Sequence, residues 1–219
     1  TGLFHKEAIA FMERSKDNPF FLFLSHKDPH QPCIPSEKFD RSSKGGPHGD
    51  VVQEVDWSVG EIVKYLRDND LSDNTLVLFT RDNGPWFDGS PGTLRGRKGQ
   101  SFEGGYRVPM IASWPGTIPP GRVSNQPAMN IDFFPTMLAL AGLSNPNDRV
   151  IDGKNIFGLL TGAEEEASHS ALYFSHGSIL EGTRQGKWKY FRNISRYVWP
   201  VPIDNPKTFV GWQASKRSY

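Results

Sequence analysis

Two short apolar runs lie on either side of a strongly periodic segment, and this alternation restricts the fold of the chain more than any other feature. The runs are Phe20 to Leu24 and Thr75 to Thr80. Between them, segment 52–66 repeats valine, isoleucine or leucine every three or four residues, which predicts an amphipathic helix. Continuous apolar runs of this length predict strands that are buried on both faces. Because a helix between two such strands covers a face of their sheet, we expect an α/β domain.

The rest of the chain continues this pattern and then departs from it. Four more elements are predicted from apolar spacing and turn residues: helices over 3–12, over 132–141 with Gly142 as its cap, and over 156–160, and a strand over 108–113. After residue 160 the segments become short and alternating, with Gly177 and Gly186 between them, as in an antiparallel meander. We therefore expect two domains, an α/β domain over 1–160 with flanking helices and a small antiparallel β unit over 161–219.

Charge and hydropathy exclude several kinds of partner. The chain has 25 Lys and Arg against 24 Asp and Glu, a net charge of +1, and no run of like charges, so we expect no nucleic-acid partner. The longest apolar runs fall far short of the roughly 20 residues that cross a bilayer, so we expect no membrane span. The single cysteine, Cys33, excludes an internal disulfide and a zinc site built from thiolates.

The segment from Asp82 to Arg107 is rich in glycine and has no apolar period, as expected of a long functional loop. It lacks the G-x-x-x-x-G-K-[ST] spacing of a phosphate-binding loop, and no G-x-G-x-x-G follows a strand, which excludes both familiar nucleotide cradles. Its glycines permit close backbone approach, and Arg95, Arg97 and Lys98 can contact an anionic group. A merely solvated basic loop is the alternative.

Polar side chains follow two of the predicted strands, His26 and His30 after the first and Asp82 and Asn83 after the second. In α/β sheets, ligands gather at the carboxyl ends of strands. An adjacent carboxylate and amide carbonyl supply the hard oxygen ligands that Ca²⁺ and Mg²⁺ prefer. Two alternatives stay open, because Asp-Asn and Asn-Gly pairs also form plain turns and His30 can be an ordinary loop histidine.

Five separated blocks of the sequence occur in a distinctive order. They are FFLFLSHKDPHQP, VVQEVDWSVGEIVKYLRDNDLSDNTLVLFTRDNG, GSPGTLRGRKGQSFEGGYRVPMIASWPGTIPPGRVS, NIDFFPTMLALAG and IDGKNIFGLLTG. Together they resemble the type I sulfatases of the alkaline phosphatase superfamily, close to the arylsulfatases, over about residues 1–190. The resemblance implies an alkaline-phosphatase-like mixed sheet and the hydrolysis of sulfate esters of small molecules or glycans with bound Ca²⁺, Mg²⁺ being the less favoured metal.

The resemblance also implies residue roles. Asp82 and Asn83 would be two calcium ligands, His30 would contact the sulfate and protonate the leaving oxygen, and Lys98 would bind a sulfate oxygen. Arg95 and Arg97 are further candidate substrate contacts, and so is His26. Because sulfate ester hydrolysis builds negative charge on the leaving oxygen, a divalent ion, a lysine and an acidic histidine are suitable groups to stabilise it.

The sequence also departs from that family. Sulfatases carry an upstream nucleophile, a formylglycine made in a C/S-x-P-x-R motif, whereas the segment that begins at Cys33 has Glu37 in place of the arginine. We expect Cys33 to be a small buried or loop thiol and the chain to be truncated at both ends. The chain alone should therefore bind calcium weakly or not at all and hydrolyse no sulfate ester, and uncovered apolar surface should favour self-association.

Other expectations concern structure and the competing functions. We expect Glu103 to pair with Arg107 and hold the loop in shape, and Asp56 to be structural. A phosphomonoester or phosphonate hydrolase of the same superfamily, or a non-catalytic anion-binding pseudoenzyme, are the alternative functions. Family habit suggests an exported protein, whether periplasmic, secreted or lysosomal.

Overall fold

The computed structural model describes residues 1–194, which form two compact units, Thr1–Leu76 and a second unit that begins at Val77. The elements of the first unit are helices α1 (Gly2–Ser15) and α2 (Gly46–Asp68) and a 3-10 turn (Ser72–Asn74). Those of the second are β1 (Val77–Thr80), α3 (Glu103–Tyr106), β2 (Met110–Ser113), a 3-10 turn (Asn130–Asp132), α4 (Phe133–Leu140), α5 (Phe157–Thr161), β3 (Leu172–His176), β4 (Ile179–Gln185) and β5 (Trp188–Phe191). The chain therefore combines helices with a two-stranded sheet of β1 and β2 and a separate three-stranded sheet of β3, β4 and β5, in agreement with the predicted mixed α/β class.

Helices α1 and α2 form the core of the first unit, which confirms both sequence predictions. Met12 of α1 and Val51 and Leu66 of α2 are almost completely buried. Burial of an apolar side chain of this size stabilises the folded state by about 1.5–3 kcal/mol, so these three side chains contribute substantially to the stability of the first unit. Asp50 and Glu54, also on the buried side of α2, accept hydrogen bonds from backbone amides of the segment 36–43.

The strand predicted over Phe20 to Leu24 is wrong for the described residues. No strand forms there, and Phe21 and Phe23 are 69% and 80% exposed. The physical reason is that a strand requires a neighbouring strand and a cover on each face, and neither is supplied by the local sequence. In the first unit only the α1 side is covered, where the Phe11 and Phe20 rings meet edge to face at 6.0 Å.

Strands β1 and β2 pair antiparallel, with Val77 opposite Ser113 and Thr80 opposite Met110. These strands confirm the predictions from the apolar runs 75–80 and 108–113, and the segment 81–109 connects them. Helix α4 ends at Leu140, and Gly142 follows its cap with a positive φ of 71°. The bonds from Gly142 N to Ala139 O and from Leu143 N to Leu138 O form a Schellman motif there. The predicted helices over 132–141 and 156–160 are thereby confirmed as α4 and α5.

A buried polar cluster joins α4 to the chain that follows it. The carboxylate of Asp132, which is fully buried, accepts hydrogen bonds from Met129 N, Lys154 N and His169 Nε2 at 2.7–2.8 Å. Thr136 Oγ1 accepts from Ile156 N at 3.0 Å. The bonds from Lys154 N, His169 Nε2 and Ile156 N link segments that are 20 or more residues apart, so the cluster fixes their relative position.

Strands β3, β4 and β5 form the predicted antiparallel meander, in that order, with Gly177 and Gly186 in its turns. The inner face buries Phe174, which packs against Tyr106 of α3 with ring centroids 5.0 Å apart. The domain boundary predicted near residue 161 stays a prediction, and the part of the predicted β unit over 195–219 lies outside the described residues. Among the described helices, none is both long enough and apolar enough to span a bilayer.

Candidate active site

The loop from Asp82 to Arg107 folds on its own backbone. Lys98 N donates to Pro85 O, Gly84 N to Gly105 O and Gly104 N to Arg95 O, at 2.7–3.1 Å. These backbones approach so closely that a Cβ atom on Gly84 would overlap Gly104 O, and one on Gly104 would overlap Gly96 O. The glycine content of the loop is therefore a packing requirement.

Lys98 is held by this backbone, while its side chain is left available. The residue is partly buried, and its ammonium makes no hydrogen bond or ion pair within residues 1–194. An ammonium without a counter-ion favours an anion nearby, because opposite charges attract and no competing partner occupies the cation. The geometry fits the predicted role of Lys98 as a sulfate ligand and leaves that role a prediction.

The two arginines of the loop differ in what they contact. Arg97 Nη1 donates to Trp86 O at 3.0 Å and to Gly89 O at 2.7 Å, so part of its guanidinium organises the loop itself. Burial lowers the pKa of Arg97, which stays cationic at neutral pH. Arg95 is exposed, and its guanidinium lies 4.1 Å from the centroid of the buried Phe102 ring. A substrate role remains a prediction for both.

Asp82 and Asn83 follow β1 directly, as predicted. Asp82 is exposed, and the Asn83 side-chain amide contacts the Asp82 carboxylate, so their polar atoms converge. Their donor chemistry fits Ca²⁺, because both offer hard oxygens, but two residues supply fewer than the six to eight oxygens that Ca²⁺ takes. Within residues 1–194 no group of three or more His, Cys, Asp and Glu side chains is placed to hold a metal.

His30 lies in the first unit, in an exposed turn, with its backbone N bonded to Lys27 O. Its Nδ1 lies 2.8 Å from Gln31 O. A carbonyl oxygen can only accept, so Nδ1 carries the proton and Nε2 is the nitrogen that can exchange a proton with a substrate. This is the arrangement that a general acid requires, although the role itself is untested.

His26 is half-buried beside the buried side of α2. Its Nε2 lies 3.4 Å from Ser58 Oγ, which also contacts His5 Nδ1 at 3.2 Å. Burial is the main reason that the pKa of His26 is lowered, which favours the neutral imidazole. Its Nδ1 is buried without a hydrogen-bond partner among the described residues. Packing in the first unit thus accounts for the observed contacts of His26.

Two further side chains concern the sequence predictions. Asp56 is exposed on α2, and its structural role stays a prediction. Cys33 is a partly buried loop thiol, as predicted, with Sγ 3.6 Å from Pro29 O and 3.9 Å from His48 Nδ1.

The prediction that Glu103 pairs with Arg107 is wrong for the described residues. Glu103 Oε2 accepts from Arg184 Nη1 at 2.9 Å, and Oε1 accepts from Lys189 Nζ at 3.1 Å. Arg107 is instead exposed and donates its backbone N–H to Glu103 O. The reason is that Glu103 opens α3 on the side that faces the meander, where two cations meet.

Sequence reasoning missed Arg184 and Lys189, yet a signal for them was present. The turn at 186–187 sets Arg184 directly opposite Lys189 across β4 and β5. Like charges that face each other on a sheet are destabilising, so an acidic partner between them was to be expected. Burial is the main reason that the pKa of Lys189 is lowered, and the ion pair with Glu103 opposes that shift.

Comparisons with known proteins agree with the sequence blocks. The family model described as Sulfatase matches residues 2–143. Arylsulfatase D of Homo sapiens is 38% identical over 216 residues, which cover 94% of this chain and 36% of that protein. N-acetylgalactosamine-6-sulfatase of Canis lupus familiaris is 40% identical over 197 residues, which cover 86% and 37%.

A solved structure shows the same likeness. The crystal structure of the PsFucS1 sulfatase from Pseudoalteromonas sp. matches with a TM-score of 0.82 at 30% identity, over 85% of this chain and 39% of that one. The chain spans little more than a third of the length of the curated relatives it matches.

Proposed function

The chain belongs to the sulfatase family, and we propose that it supplies the sulfate-binding and acid groups of an enzyme that hydrolyses sulfate esters to alcohol and sulfate. It shares the alkaline-phosphatase-like α/β fold of its structural neighbours. One observation carries the proposal: the backbone-braced loop of the second unit holds Lys98, a partly buried residue, with its ammonium unpaired within residues 1–194. A cation fixed in this way is suited to an anionic sulfate group.

Each proposed residue has one task. Lys98 binds a sulfate oxygen and offsets its negative charge. Protonated His30 donates from Nε2 to the ester oxygen as the bond from sulfur to that oxygen breaks, so the alcohol leaves neutral. Arg95 is the further candidate for a sulfate contact, since it is exposed on the same loop, and Arg97 contributes by keeping that loop in shape.

Asp82 and Asn83 would contribute two of the ligands of a calcium ion, with Mg²⁺ less favoured because it demands a near-ideal octahedron. When bound, such an ion would neutralise negative charge on the sulfate. The remaining oxygens have to come from groups other than these two residues. The nucleophile is likewise assigned to a residue outside this chain, because no C/S-x-P-x-R motif occurs in its 219 residues.

A titration with inorganic sulfate tests the binding role of Lys98 in the chain itself. Backbone amide NMR should show shifts centred on 95–100, and Lys98→Ala should remove them. Lys154→Ala is the matched control, since Lys154 is an exposed lysine of the same unit. Sulfate binding that survives Lys98→Ala unchanged would refute the role.

Turnover is tested with an aryl sulfate on two samples: this chain, and the natural protein extended upstream to include a C/S-x-P-x-R motif. We expect no turnover from the chain alone and turnover from the extended protein, lost on His30→Ala. Hydrolysis by the chain alone would contradict the assignment of the nucleophile. An exported location and self-association of the chain stay predictions, which secretion assays and light scattering can check.

A further inference from the structure

The loop that carries Lys98 does not stand alone, because the meander holds it along one side. His176 Nδ1 of β3 donates to Gly99 O at 3.1 Å, one residue beyond Lys98. Tyr106 OH donates to Ser175 O and accepts from Ser175 N at 3.2 Å. The Phe102 and Phe191 rings lie 5.1 Å apart. All of these contacts lie within the second unit and join residues that are far apart in sequence.

Glu103 is at the centre of this contact. Its two oxygens bind two different strands, Arg184 of β4 and Lys189 of β5. All three side chains are one quarter exposed or less, so solvent screens their attraction less than it would at an open surface. Without the carboxylate, Arg184 and Lys189 would face each other as like charges. Glu103 thus stabilises the meander and the loop with the same two bonds.

We propose that Glu103 is a positioning residue for Lys98: by binding Arg184 and Lys189 it fixes loop 95–106 on the meander, so that the Lys98 ammonium meets the sulfate group in one orientation. This rests on the proposed sulfate-binding role of Lys98. Glu103 itself touches no sulfate. The link to Lys98 runs through the backbone, since Gly104 N bonds Arg95 O and Lys98 N bonds Pro85 O.

Electrostatics alone and the positioning role predict opposite changes in sulfate affinity for Glu103→Gln. Glu103→Gln removes a negative charge and frees two cations, so electrostatics alone predicts tighter binding of an anion. Positioning predicts weaker binding, because the loop would leave the meander and Lys98 would sample several orientations. The sign of the change in sulfate affinity therefore decides between the two.

The experiment is a titration of this chain with inorganic sulfate, followed at the Lys98 amide by NMR. We expect Glu103→Gln to raise the dissociation constant by about tenfold, as the loss of a charge-assisted hydrogen bond would. Amide exchange at Lys98 and Gly104 should also become faster. Glu103→Asp keeps the charge and should restore part of the affinity. If Glu103 affected only stability, the two variants would bind sulfate equally once the fraction of folded protein is the same.

Two further variants keep the test sharp. Asp148→Asn is the matched control, since Asp148 is exposed in the same unit and pairs with its sequence neighbour Arg149. It changes the net charge as Glu103→Gln does and should leave sulfate affinity unchanged or slightly higher. Tyr106→Phe removes the bonds to Ser175 without changing charge, and should weaken sulfate binding in the same direction, so the test survives if Glu103→Gln unfolds.

The outcomes separate the two levels of the argument. If Lys98→Ala leaves sulfate binding intact, the proposed function fails and the positioning role fails with it. If Lys98→Ala abolishes binding while Glu103→Gln folds and binds equally or more tightly, the sulfate role stands and the positioning role is refuted.

Discussion

Replacement of Gly104 by alanine should destabilise the loop, although the same replacement in a helix usually stabilises. Gly104 lies in helix α3, where alanine is favoured over glycine by about 0.8–1 kcal/mol. Its Cβ, however, would overlap Gly96 O and crowd Arg95 O at 2.7 Å. These atoms are backbone, and Arg95 O already accepts from Gly104 N at 2.7 Å, so neither side can move without breaking that bond.

The expected cost follows from these contacts. Overpacking costs about 1–3 kcal/mol and the loss of one backbone hydrogen bond about 1 kcal/mol, so the net loss in local stability should be about 1–3 kcal/mol after the helix preference is subtracted. Gly60→Ala is the matched control. Gly60 lies within α2, and its Cβ would meet nothing within 4 Å, so alanine should stabilise that helix by about 0.5–1 kcal/mol.

Amide hydrogen exchange measures both effects, because it reports opening free energies residue by residue in a chain with two units. The Lys98 and Gly105 amides should exchange about 10- to 100-fold faster in Gly104→Ala, and α2 amides more slowly in Gly60→Ala. If Gly104→Ala leaves loop exchange unchanged or slower, the close backbone packing of the loop is not what requires glycine, and the explanation is refuted.

Three more predictions follow from other parts of the molecule. Asp132→Ala removes the fully buried carboxylate that accepts from Met129 N, Lys154 N and His169 Nε2, so it should destabilise the second unit by about 2–5 kcal/mol, measured by exchange at the Ile156 amide; a loss below about 1 kcal/mol would contradict this. The pKa of His26 is lowered on folding, so its contribution to stability is present above the unfolded pKa of about 6.5 and declines as pH falls. His26→Gln should therefore flatten the acid side of the plot of unfolding free energy against pH, and an unchanged plot would contradict this. Calorimetry should find calcium binding to this chain weaker than micromolar, since Asp82 and Asn83 supply two ligand residues; micromolar binding would show that further ligands are present.

Local signals in the sequence predicted the elements that depend on local interactions. Helix α2 follows from a 3–4 residue apolar period, and the meander from alternating segments with a glycine at each turn. The run Phe20 to Leu24 has the composition of a buried strand. Burial and strand pairing depend on neighbours elsewhere in the chain, however, and the residues of the run do not determine whether those neighbours are present.

The candidate site shows the same division. Asp82, Asn83 and Lys98 could be placed from motif order, because a strand end and a glycine-rich loop fix their surroundings locally. The partner of Glu103 could not be chosen by proximity in sequence, since Arg107 is four residues away and Arg184 and Lys189 more than 80. A hairpin register inferred from the turn at 186–187 places Arg184 opposite Lys189. Two cations in that position would have indicated an acidic partner from elsewhere in the chain.

The contacts of the loop give two different ways in which a substitution can weaken sulfate binding. The sulfate-binding groups proposed here lie on a loop whose shape depends on backbone bonds within it and on ion pairs with β4 and β5. Substitutions at Arg184, Lys189 or Tyr106 can therefore lower sulfate binding although none of these side chains is assigned to the substrate. A substitution of Lys98 removes the charge that binds, whereas a change in the meander alters how that charge is presented. The first should abolish binding at every sulfate concentration, and the second should be overcome by more sulfate, because the ammonium remains and only the fraction of chains in the competent orientation falls.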